Sequence, residues 1–92
     1  MSNKSKGIAF ERKTRHYLES LGFWCIRQAA SAFPDLIAIS PLRTVYVIEC
    51  KLKPEYLTRA EKNEMVSLAE RLGGIPMLAY NLKGKVILKS LY

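Results

Sequence analysis

The chain has little of what metal cages and disulfide scaffolds are built from. Its 92 residues include two cysteines and one histidine. Cys25 and Cys50 lie in separate apolar runs and form no C-x-x-C, and His16 is distant from both in sequence. This pattern argues against a zinc site and predicts two buried, reduced thiols, the usual state in the cytoplasm. Long apolar runs are also missing. None reaches the roughly 18 residues that a membrane-spanning helix needs. The start, MSNKSKGIAFERK, is basic but is not followed by the apolar stretch of a secretory signal. Acids are scarce, with 8 Asp+Glu against 15 Lys+Arg and a formal net charge of +7. Such an excess favours a polyanionic partner, above all nucleic acid.

Apolar residues make up 49% of the chain. A chain of this length with this composition reads as one domain with one core, stable without disulfides and further stabilised by self-association. Residues 1–6 read as a loose basic arm. From 7 to 21, Phe10, Thr14, Tyr17, Leu18 and Leu21 recur at helical spacing, with Gly22 as the stop. FWCIRQ, DLIAIS and VYVIECKL read as three strands, the last apolar nearly throughout as a covered central strand is. PLRT is the turn between the second and third, and Pro54 ends the third. TRAE at 58–61 is a capping box that opens a helix burying Met65, Leu68, Ala69 and Leu72 up to the glycine pair 73–74. IPMLAYN and VILKSLY follow as strands around the turn LKGK. The order is αβββαββ, an α/β fold with a mixed sheet flanked by helices.

The chemistry lies at the ends of two strands. Asp35 opens the second strand after Pro34. Glu49 and Lys51 are two apart in the third strand, so they share a face, and Cys50 takes the other. Pairing of the two strands as a hairpin around PLRT brings Asp35 beside Glu49 and Lys51. Two carboxylates with open positions suit Mg²⁺, which takes hard oxygen ligands and keeps water. A lysine beside them can orient a water and offset charge on a phosphate. The plain alternative is a surface ion pair of Lys51 with either acid. Glu11, about 100° round the helix from Phe10, looks toward the sheet as a third acid, unless it pairs with Arg15 one turn on. Arg27 and Ser31 flank the loop before Asp35 and suit phosphate contact. Lys4, Lys6, Arg12, Lys53, Arg59 and Lys62 are candidates for a track of phosphate contacts, although each alone reads as a solvated charge.

GIAFER, GFWCIRQAAS, PDLIAI, VIECK and GGIPMLAY together resemble the archaeal-type Holliday-junction resolvases, the Hjc group of the PD-(D/E)xK nuclease superfamily. The likeness runs from Gly7 to the last strand. It implies a restriction-endonuclease-like fold and a homodimer that binds four-way DNA junctions and makes two symmetric cuts with Mg²⁺ or Mn²⁺. It also implies roles for Glu11, Arg12, Arg27 and Ser31, metal binding by Asp35 and Glu49, catalysis by Lys51, and metal ligation by the Cys50 carbonyl. Ala30 stands where members often have glycine. The rival readings are a nuclease of the same superfamily without junction preference, a branched-DNA binder that does not cut, and an interaction domain whose charges only pair with each other.

Overall fold

The apolar runs on either side of PLRT pair as an antiparallel hairpin, and the other elements assemble around it. The computed structural model describes residues 3–28 and 33–92. Its elements are α1 (Asn3–Ser20), β1 (Trp24–Arg27), β2 (Leu36–Ile39), β3 (Val45–Lys51), a 3₁₀ turn (Pro54–Tyr56), α2 (Arg59–Leu72), β4 (Ile75–Leu82) and β5 (Lys85–Ser90). This is the expected αβββαββ order. The sheet runs β1-β2-β3-β4-β5. β3 and β4 are parallel and the other neighbours antiparallel. A parallel pair needs a crossover, and α2 supplies it.

α1 begins earlier than the sequence suggested. Asn3 to Lys6 belong to the helix, not to a loose arm. Lysine is a good helix former, so the first turn extends the helix although exposed Ser5 and Lys6 bury nothing.

Each sheet face carries one helix. Under α1, Phe10 and Leu18 pack on Leu36, Ala38, Ile48 and Ala79. Under α2, Met65 and Ala69 pack on Val47 and Leu78, with Leu91. The helical stripes are narrower than their periodicity suggested. Tyr17 on α1, Leu21 just past its end and Leu72 on α2 are exposed, because the sheet covers only the central line of each helix. Thr14 is buried, and its hydroxyl is satisfied by donating to the Phe10 carbonyl at 2.9 Å.

The ends of α2 are fixed as the sequence indicated. The Thr58 hydroxyl accepts from the Glu61 N–H, and the Glu61 carboxylate accepts from the Thr58 N–H. Gly73 closes the helix with φ 66°, a left-handed conformation natural to glycine. A Cβ on Gly74 would stand 2.8 Å from the Val45 carbonyl oxygen. Glycine therefore lets β4 start against β3, where Ile75 pairs with Tyr46.

Candidate active site

The β2–β3 register sets the site. Leu36 pairs with Ile48, so Asp35 falls beside Glu49. Main-chain N–H groups of the two strands hold both side chains. The Asp35 N–H donates to Glu49 Oε1 at 3.1 Å, and the Cys50 N–H donates to Asp35 Oδ2 at 2.8 Å. The two carboxyls also lie within hydrogen-bonding reach of each other, and the Lys51 ammonium stands 3.6 Å from Glu49 Oε2.

Glu49 is 6% exposed. Burial, then the charge and side-chain hydrogen bonding of Asp35, push its carboxyl up to about 8, against the pull of the Asp35 N–H and of Lys51. Two carboxyls crowded into a desolvated site resist ionising together.

Lys51 has a second and nearer partner. Its Nζ donates to Glu61 Oε2 at 2.8 Å. Burial alone would lower its pKa, but the hydrogen bond and charge of Glu61, with Glu49 and Asp35 behind, raise it. Glu61 is held below the usual carboxylate range: burial works against that, and Lys51 and the Thr58 N–H outweigh it. Glu61 thus uses one oxygen to cap α2 and the other to hold Lys51. The sequence pointed to its capping role alone; its place in the first turn of the helix that follows β3 was the available clue to the rest.

Glu11 faces the sheet as expected, yet its partner is neither a metal-site acid nor Arg15. Arg27 Nε donates to Glu11 Oε1 at 2.7 Å. Arg27 pairs with Leu36 at the end of β1, so this ion pair stands next to the start of β2. Among the described residues, no three His, Cys, Asp or Glu side chains converge as a metal cage. The acidic centre is the Asp35–Glu49 pair, with Glu11 drawn off toward Arg27.

Cys50 presents its N–H to Asp35 and packs its side chain into the α1 core. Both thiols are free and half-buried rather than fully enclosed. Burial raises each of them, helped by Glu19 at Cys25 and chiefly by Asp35 at Cys50. Both are therefore weak nucleophiles. Arg12, Lys6, Lys53, Arg59 and Lys62 are exposed, and the Lys53 ammonium sits 5.9 Å from the centre of the Tyr56 ring. Ser31 and the Lys4 side chain lie outside the described residues.

Residues 2–91 match the family described as archaeal Holliday junction resolvase (Hjc). The chain belongs to the Hjc family. It is 35% identical over 85 residues to the crossover junction endodeoxyribonuclease Hjc of Methanocaldococcus jannaschii, an alignment covering 89% of this chain and 63% of that protein. The chain thus spans somewhat under two thirds of that relative's length. The solved structure of Archaeoglobus fulgidus Hjc, a Holliday junction resolvase from an archaeal hyperthermophile, superposes with a TM-score of 0.79 at 28% identity. That match covers 92% of this chain and 77% of the other. The mixed five-stranded sheet with a helix on each face is the Hjc α/β fold, and Hjc membership implies a divalent metal. The donor set fits one: two adjacent carboxylates, each with an oxygen free of main-chain partners, in a site where their mutual repulsion needs a cation. No described helix is long and apolar enough to cross a membrane.

Proposed function

We propose that this protein is a Mg²⁺-dependent endodeoxyribonuclease that resolves four-way DNA junctions by paired symmetric cuts. The observation carrying this reading is the pair of carboxylates, Glu49 held by the Asp35 N–H and Asp35 by the Cys50 N–H, beside Lys51. Asp35 Oδ1 and Glu49 Oε2 are the oxygens offered to the ion, the Cys50 carbonyl extends the donor set, and Glu11 serves by holding Arg27 beside it. When bound, Mg²⁺, or Mn²⁺ in its place, polarises the scissile phosphate and acidifies a water.

The protein's own groups do the rest. Asp35 and Glu49 are prearranged by the hairpin and need no movement to meet. Lys51 is kept as an ammonium by Glu61, which suits it to offset charge gathering on the phosphate and to orient the water. Hydrolysis bonds the water oxygen to phosphorus, breaks one P–O ester bond and leaves a proton for the departing oxygen. Arg27, Ser31, Arg12, Lys4, Lys6, Lys53 and Arg59 bind the flanking backbone.

The same reading makes the protein a cytoplasmic homodimer, since two symmetric cuts call for a two-fold pair of sites. Support comes from the α2 side. Leu72 is 46% exposed, and a groove of about 520 Å³ runs beside it, lined by Phe33, Asn63, Glu64, Ser67, Leu68 and Arg71.

The test is cleavage of an end-labelled four-way junction with Mg²⁺, beside a linear duplex and an Asp35→Asn control. Paired cuts in the junction alone, reduced at least about a thousand-fold in the control, are expected. Equal cutting of the duplex would leave a nuclease without junction preference. A junction retarded on a gel but never cut would leave a binding module.

A further inference from the structure

Three arginines meet on the outer side of α1, and the cleavage chemistry above leaves one of them without a task. Arg12, Arg15 and Arg27, with Ile8, line a cavity of about 130 Å³. Arg12 and Arg15 are three apart on α1 and therefore neighbours on its surface. Arg27 comes in from the end of β1. The Glu11 carboxylate is engaged by Arg27 Nε. Arg15, the residue one helical turn from Glu11, is left out. Its Nε is buried and, among the described residues, has no hydrogen-bond partner.

A buried donor without an acceptor is costly, and three guanidinium groups lining one cavity gather positive charge there. A compact oxyanion supplies both missing elements. Guanidinium forks match the paired oxygens of a phosphate, and Ile8 closes one side against a larger polar ligand. The position favours DNA as the source. Arg27 pairs with Leu36, so the cavity lies one strand away from Asp35, within reach of the same nucleic-acid strand.

We propose that Arg15 completes a seat for one backbone phosphodiester of DNA, separate from the cleaved phosphate, with Arg12 and Arg27 as its other cationic walls. This rests on the nuclease reading and adds a substrate-gripping subsite to it. The seat fixes which neighbouring phosphate is clamped, and so helps set where along the strand the cut falls.

The experiment replaces single phosphates of a junction strand with neutral methylphosphonates, one position at a time. Affinities are measured in Ca²⁺ for wild type, Arg15→Gln and Arg15→Lys, with thermal melts as folding controls. One position is expected where neutralisation weakens wild type by roughly 10-fold or more and Arg15→Gln by less than about 2-fold. Arg15→Lys keeps the charge but not the fork and falls between them. The salt slope of Arg15→Gln drops by about 0.9. If Arg15→Gln loses the same factor as wild type at every position, the seat is wrong while the nuclease reading stands. If Arg15→Gln does not fold, Arg15→Lys decides: a profile identical to wild type at every position overturns the seat. Inorganic phosphate titrated without DNA, followed by the NMR signal of the Arg15 Nε–H, tests the other source. Binding there without any cancelled position in the DNA overturns the assignment to DNA. Equal cutting of linear duplex together with one cancelled position removes junction preference and upholds the seat.

Discussion

Lys51 Nζ lies closer to Glu61, at 2.8 Å, than to Glu49, at 3.6 Å. The lysine of the centre is therefore steered by the first turn of α2 as well as by its own strand. Glu61→Gln keeps a side chain that can complete the capping box and removes the charge that holds Lys51. We expect cleavage at saturating junction to slow by roughly 10-fold while thermal stability changes by less than about 1 kcal/mol. The check is a double-mutant cycle: Lys51→Ala combined with Glu61→Gln should be no slower than Lys51→Ala alone. Two full, independent losses would show that Glu61 acts elsewhere.

Glu49 makes metal-free stability depend on pH. Its folded pKa, about 8, lies above the ordinary carboxyl value. The protonated form is therefore favoured by folding. That contribution is complete below about pH 4 and is lost as pH rises toward and through 8. Urea melts in EDTA should show stability falling between pH 5 and 9 by an amount on the order of a few kcal/mol. Glu49→Gln should flatten this slope, and millimolar Mg²⁺ should restore the wild type at high pH by binding the native state. An EDTA slope unchanged in Glu49→Gln would assign the effect to other groups.

Leu72 should report the dimer. It is exposed on α2 although its spacing marks it as part of the apolar stripe. Leu72→Glu is expected to shift sedimentation at micromolar concentration from a dimer to a monomer and to uncouple the two cuts, so that nicked junctions accumulate. A wild-type monomer under these conditions would overturn the two-fold arrangement.

Met65 anchors α2 with no exposed surface. Met65→Ala should cost about 2–5 kcal/mol of unfolding free energy, measured by urea denaturation. Its effect on the rate of cutting should follow the folded fraction, since Met65 packs in the apolar cluster with Val47, Ala69, Leu78 and Leu91.

Much of this was readable from the sequence where local rules and tertiary structure agree. The capping box needs only residues 58–61, and the Asp35–Glu49 encounter needs only a hairpin. What escaped required distant partners. Glu11 has Arg15 at ideal helical spacing, but Arg27 arrives from β1 and takes the carboxylate. Glu61 has a complete local role in its cap, which hides the reach back to Lys51. Tyr17, Leu21 and Leu72 carry the right period, but periodicity gives a helix face and not the width of the sheet that covers it. The added turn at the start of α1 had no apolar period to announce it.

The acids of the centre have one more consequence. All four residues of β2 are apolar, and none is exposed. Alternation of faces, which normally rejects a slipped strand pairing, is therefore weak in β2 itself. The bonds from the Asp35 N–H to Glu49 and from the Cys50 N–H to Asp35 supply the missing discrimination, since a slip of one residue would leave both acids without their N–H donors. On the nuclease reading, the chain thus proofreads its own strand alignment with the residues it uses on its substrate. A molecule that folds out of register would then lose its cutting centre in the same event, and a misassembled copy would be silenced before it met DNA.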